Sequence, residues 1–237
     1  MAKPILLLDV DGVINCFGSI WTPEYNAEHF IGGGPCAVGD FQVHVRHETP
    51  GLIRELAEAF EVVWCTAWME EAHLLKDLLG LPEEPWRHIE FTGWNGMLKQ
   101  GGSWKLHHVA AWLEEFAPDR PAVWIDDDLG QPDLEWSKER SAQTTLFRPG
   151  PARGLTRTIT NGALEIANDW NFAKFERGML AQIDRTAELI ASCHERVPCP
   201  RCEAEIGQRC CNVRRGFEGT RLKHPHKERW TQVVPAR

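Results

Sequence analysis

Three short apolar runs constrain this chain more than any other feature: ILLLDVDG at residues 5–12, EVVWCT at 61–66 and PAVWIDDDLG at 121–130. An unbroken apolar run of this length reads as a strand buried on both faces, the pattern of a parallel sheet covered by helices. Each run ends in polar side chains: Asp9 and Asp11, then Thr66, then Asp126, Asp127 and Asp128. An Asp-x-Asp-Gly stretch can be no more than a turn. In open α/β sheets, however, ligands gather beyond the carboxyl ends of the strands, which is where these groups fall.

The segments between the runs read as helices. TPGLIRELAEAF (49–60) has Thr49 as expected N-cap and Pro50 at the first helical position. MEEAHLLKDLLG (69–80) is a second helix stopped by Gly80, and SWKLHHVAAWLEEF (103–116) a third. TTLFRPG (144–150) is a weaker fourth strand. GALEIANDWNFAKFERGMLAQIDRTAELIASCHERV (162–197) reads as long helix, with a break expected near residues 168–171. The alternation predicts an α/β fold with a Rossmann-like parallel sheet and helices on both faces. Residues 16–49 are irregular; IGGGPCAVGD is a loop and FQVHVRH alternates like one strand of a hairpin.

A 237-residue chain with 43% hydrophobic and 25% charged residues is ordinary for a globular protein holding one good-sized domain and a small appendage. No run approaches the ~18 apolar residues of a membrane span, and the N-terminal run is interrupted by acids, so neither a membrane partner nor a signal peptide is expected. Eight scattered cysteines then suggest reduced thiols or metal ligands and a cytoplasmic setting. From Cys193 onward there are ten Lys/Arg against five Asp/Glu, a net +5 in a chain of −8, which leaves −13 on residues 1–192. A basic tail on an acidic body suggests two parts with different partners.

In order along the chain stand Asp9 and Asp11, Thr66, Lys105 and the Asp126–Asp127 pair. This order resembles the haloacid dehalogenase (HAD) superfamily over about residues 5–150. WCTAW and WIDDDLG are similar to the compact phosphatase-like HAD domains of RNA-repair contexts. The resemblance implies phosphomonoester hydrolysis through an aspartyl-phosphate. Asp9 is then the nucleophile. Asp11 protonates the leaving group and later activates water. Thr66 and Lys105 hold the phosphoryl oxygens, with Lys99 the other candidate lysine. Mg²⁺ is held by Asp9, Asp11, Asp126 and Asp127. Taken singly, Thr66 reads as a helix cap, Lys105 as a solvated residue, and Asp133 as a distal acid or a cap. Residues 16–49 sit where this superfamily places its cap and are too short for a helical one. They read as a hairpin flap over an open cleft, with Trp21, Tyr25, His29, His44 and His47 able to line it. An open cleft suits a large phosphorylated substrate such as a DNA or RNA end.

The tail carries Cys199-x-x-Cys202, then Cys210 or Cys211, then His224 and His226. Two cysteines at this spacing, a third, and a downstream histidine fit a tetrahedral Zn²⁺ site in a segment too short for a core of its own. The pattern C-P-x-C…G-x-x-C…H-x-x-R also resembles the DNA-binding phage-type zinc finger, whose frame selects Cys210 and His226. Arg214, Arg215, Arg221, Lys223 and Lys227 surround the site as candidate phosphate contacts. Cys16, Cys36, Cys65 and Cys193 read as idle thiols. The expected organisation is a HAD-like domain over 1–160, a helical linker over 161–195 and a zinc-binding tail over 196–237. The alternative function is nucleic-acid binding by the tail, with the HAD domain as a scaffold.

Overall fold

A computed structural model describes residues 2–19, 21–92, 102–171, 196–211, 213, 221–222 and 225–233. The chain divides into two units, Met1–Asn171 and Phe172–Arg237. The first is built on five parallel strands in the order β5-β4-β1-β6-β7. These are β1 (Ile5–Leu8), β4 (Glu61–Trp64), β5 (Arg87–His88), β6 (Ala122–Ile125) and β7 (Thr144–Phe147). A separate antiparallel hairpin pairs β2 (Cys36–Val38) with β3 (Phe41–Val43).

Every residue of β1 is fully buried, because the strand is paired on both edges and covered on both faces. Its side chains alternate between two cores, as a pleated strand requires. Leu6 and Leu8 join Val62, Trp64, Val123 and Ile125 in one cluster; Ile5 and Leu7 join Val63, Cys65, Ala122 and Trp124 in the other. Helix α2 (Thr49–Ala59) contributes Leu52, Ile53 and Leu56 to the first cluster, and helix α4 (Leu106–Phe116) contributes Val109, Trp112 and Leu113 to the second. Both triplets follow the spacing that places residues on one helical face.

Several local expectations change. Thr49 is the first residue of α2 rather than its cap; its N–H donates to the Arg46 carbonyl in a turn, so no side-chain cap is needed there. Residues 69–80 are mostly 3₁₀ helix (Met69–Leu75), followed by one α turn, α3 (Lys76–Leu79). Met69 has a positive φ of 47°, so the segment does not enter regular α geometry at its start. Gly80 ends it in the left-handed conformation, as expected.

The C-terminal helix of the first unit is continuous over residues 157–171, including 168–171; residues 172–195 lie outside the described residues. Ala163 and Ala167 are completely buried in the first core cluster. Residues 161–171 of the expected linker are therefore part of the first unit, because two small side chains let this helix pack against it. Strand β5 had no expectation at all: two residues carry no periodicity.

The strand following β6 leads through 148–155 back onto the loop after β1. Leu155 N donates to Val13 O at 2.7 Å, and Phe17 N to Pro151 O at 3.0 Å. Gly154 makes this approach possible. Its φ is +64°, and a Cβ there would lie 2.5 Å from the Val13 carbonyl oxygen and 2.9 Å from the Cys16 sulfur. Gly154→Ala combines left-handed strain with overpacking and is expected to cost about 2–4 kcal/mol. Urea unfolding should show this as a lower midpoint with an unchanged slope.

Candidate active site and zinc cluster

The chain leaves β1 toward β4 on one side of the sheet and leaves β6 toward β7 on the other. Strands whose connections diverge in this way open a crevice between their carboxyl ends. Leu8 pairs with Ile125 as the last register partners of β1 and β6, so Asp9 and Asp126 are the next residues on the two neighbouring strands. Their backbones stay in line, Asp9 N donating to Ile125 O at 3.1 Å and Asp126 N to Phe147 O at 3.2 Å. Trp64 pairs with Leu8 on the other side, which sets Thr66 level with Val10.

Lys105 joins the acids from the start of α4, as its N-cap residue. Its Nζ lies 2.7 Å from Asp9 Oδ2 and 2.8 Å from Asp126 Oδ2, and all three side chains are almost completely buried. Burial opposes the lysine's charge, but the two carboxylates outweigh it and hold Lys105 protonated well above its ordinary range. Burial pushes Asp9 up to about 7, with Asp126 adding to the rise and Lys105 opposing it. Burial, then Asp126, also raises Asp127. One carboxylate oxygen each from Asp9, Asp126 and Asp127 lie within 4.8 Å of one another. One ammonium cannot balance three converging carboxylates, so the donor set suits a hard divalent cation such as Mg²⁺.

Gly12 lets the β1 loop close on this group. Its φ is +75°, and a Cβ would fall 2.2 Å from Asp127 Cγ. The Asp-x-Asp-Gly motif thus needs its glycine on two counts, backbone conformation and contact with the third acid.

Asp11 stands apart from these acids. Its carboxylate is not part of the three-acid group; Oδ1 accepts from Asn15 Nδ2 at 2.8 Å and Oδ2 from Trp68 Nε1 at 2.9 Å. The strand turns sharply after Val10, whose carbonyl accepts from Val13, Ile14 and Asn15, so alternate side chains no longer share a direction. Thr66 is buried, and its hydroxyl accepts from Trp68 N at 3.4 Å, the capping behaviour expected of it taken singly.

Asp133 is buried and acts as a tie. Its Oδ2 accepts from Gly130 N at 2.7 Å, capping α5 (Gln131–Glu139), and from Ser103 N at 2.8 Å. It thereby fixes the chain leading into Lys105 to the loop after β6. Arg148, which no motif singled out, donates Nε to the Asp127 carbonyl at 2.9 Å and leaves an exposed guanidinium beside that acid. In the flap, Trp21, Tyr25 and His44 surround the buried ring of Phe30 with centroid separations of 4.8–6.2 Å, and His29 packs on Tyr25 at 4.1 Å. His47 is exposed. Lys99 lies outside the described residues.

In the second unit Cys199, Cys202, Cys210 and His226 converge, with ligand atoms within 4.8 Å of one another. This spread fits a tetrahedron of bonds about 2.0–2.3 Å long. Burial opposes ionisation of Cys202, but the backbone N–H groups of Cys211 and Ala204 outweigh it and bring the thiol down to about 6, which suits a metal ligand. Cys210 is buried inside the group, whereas Cys211 bridges to Arg221 through its backbone. Arg229 is completely buried; it donates to the carbonyls of Val197, Gln208 and Glu205 and approaches the Cys210 sulfur at 3.6 Å. Arg221 and Lys227 are exposed, while Arg214, Arg215, Lys223, His224 and Cys193 lie outside the described residues.

No described helix is long and apolar enough to cross a membrane. No curated protein and no solved structure gives a significant match. Two family models do match. Residues 148–237 match a phage zinc finger domain for which DNA binding is proposed. Residues 5–159 match the HAD domain in Swiss Army Knife RNA repair proteins. That match spans the whole parallel sheet and every acid of the crevice, and the chain belongs to this HAD family.

Proposed function

We propose that the protein is a Mg²⁺-dependent phosphomonoesterase that acts through an aspartyl-phosphate on phosphorylated nucleic-acid ends or nucleotides. The observation that carries this reading is the buried Lys105 ammonium between Asp9 and Asp126, at the crevice between β1 and β6. An Asp9 oxygen attacks phosphorus while the ester P–O bond breaks, and Asp11 gives a proton to the departing oxygen. Water then attacks the aspartyl-phosphate, Asp11 takes its proton, and phosphate leaves with Asp9 restored. Lys105 orients Asp9 and balances negative charge as the phosphoryl group transfers, and the Thr66 hydroxyl still has its proton to donate. When bound by Asp9, Asp126 and Asp127, Mg²⁺ supplies the positive charge that keeps Asp9 ionised and offsets the phosphate dianion.

The second unit supports a nucleic-acid substrate: it is the basic part of the chain, and its Cys/His group fits Zn²⁺. The same features support the other reading, in which the tail binds nucleic acid and the HAD unit is a scaffold.

Asp9→Asn separates the two. It keeps the side chain's shape and removes the attacking charge, so hydrolysis should fall by about 10³-fold or more while circular dichroism stays native. Retention of more than about a tenth of the rate on a true substrate would rule out the covalent mechanism. For the tail, elemental analysis of protein purified without chelator should show one zinc per chain, and Cys199→Ser should lose it. The same variant should hydrolyse para-nitrophenyl phosphate as before but show a raised KM for a phosphorylated oligonucleotide, a difference that shrinks with added salt.

A further inference from the structure

Both oxygens of Asp11 accept hydrogen bonds from side chains outside the three-acid group. Oδ1 accepts from Asn15 Nδ2 at 2.8 Å, and Oδ2 from Trp68 Nε1 at 2.9 Å. Each donor is itself fixed. The Asn15 side-chain oxygen accepts from His44 N at 3.0 Å, and the residue's backbone carbonyl accepts from Gly12 N at 2.8 Å. The Trp68 indole is 6% exposed and stacks on Phe41, with ring centroids 3.9 Å apart and planes 23° from parallel. Phe41 begins β3, and His44 directly follows its end. A single short stretch of the flap, β3 and the residue after it, thus touches both donors, one at each end.

We infer that Asn15 and Trp68 are positioning residues that aim the Asp11 carboxylate at the leaving-group oxygen and link its aim to strand β3 of the flap. This rests on the proposed role of Asp11 in proton transfer. Proton transfer demands a heavy-atom approach of about 2.6–3.2 Å, and a carboxylate free to rotate about its own bonds meets that condition only part of the time. Two donors on the two oxygens fix the plane of the carboxylate, which one donor would leave free to turn. The strand that holds the donors belongs to the flap, so the position of the flap and the position of the acid are set together. A leaving group large enough to press on β3 acts on the same network that holds the acid meant for it.

Leaving-group acidity tests this, because a leaving group that departs readily as an anion has little need of a proton. The value of kcat/KM, which reports phosphoryl transfer from ester to enzyme, is compared for para-nitrophenyl phosphate and phenyl phosphate in full-length protein with Mg²⁺. Three variants are used: Trp68→Phe, which deletes the indole N–H and keeps a ring against Phe41; Asn15→Ala; and Phe41→Ala, which loosens the flap without touching Asp11. Each should lose about tenfold or more on phenyl phosphate and less than about threefold on para-nitrophenyl phosphate. Asp11→Asn is the reference and should show the steepest dependence. If Asp11→Asn is steep and Trp68→Phe and Asn15→Ala lower both substrates equally, the two residues only support the fold and the inference is overturned while the role of Asp11 stands. If Trp68→Phe and Asn15→Ala are selective but Phe41→Ala is not, the link to the flap is overturned. If Asp11→Asn itself shows no dependence, or the wild type hydrolyses neither ester, the proposed reaction fails and this inference falls with it.

Discussion

The Lys105 ammonium, 2.7 Å from Asp9 and 2.8 Å from Asp126, is the contact on which the crevice depends. Both acids are forced inward by their strands: they directly follow fully buried residues on adjacent, in-register strands and cannot turn to solvent without unpairing the sheet. Two buried carboxylates so close together are tolerable only with positive charge between them. The chain supplies it from the N-terminal end of α4 and then secures that supply. Asp133 ties Ser103, two residues before the lysine, to the loop after β6. The lysine is thus anchored to the loop that follows β6, the strand that leads into one of the acids it pairs with.

Around this fixed centre the remaining groups hang on loops, and the loops are held by backbone contacts of unusual closeness. Gly12 lies against Asp127, and Gly154 against the Val13 carbonyl. The segment 148–155 runs beside the β1 loop, which in turn meets the flap through the bond from Cys16 N to His44 O. The strand ends of the sheet and the start of α4 therefore present three acids and a lysine, while the loop after β1 presents Asp11. This separation matches the difference between a nucleophile that must not move and an acid that must meet leaving groups of varied shape.

The sheet and most of its acids were legible in sequence because they are properties of short contiguous runs. ILLL, EVVW and AVWI announce their own burial, and Asp9, Thr66 and Asp126 follow by simple adjacency. Lys105 was legible only through the order of motifs, since nothing local distinguishes it from a solvated lysine. What escaped was whatever depends on distant pairing. Strand β5 exists because β4 offers it an edge, not because Arg87 and His88 form a pattern. Asn15 and Trp68 meet at Asp11 from 4 and 57 residues away. The Asp11 side chain stands apart from the three-acid group because two acids two apart share a face only while the strand remains straight, and this one turns after Val10.

The buried Arg229 of the second unit has an electrostatic consequence. Three thiolates around one Zn²⁺ would leave a single excess negative charge, and the Arg229 guanidinium within reach of the Cys210 sulfur would offset it. The surplus of positive charge that the tail carries is expressed outward, on residues such as Arg221 and Lys227 that face solvent. With zinc in that group, its loss would remove the internal offset, and the surface field that a polyanion meets would then depend on zinc occupancy as well as on sequence.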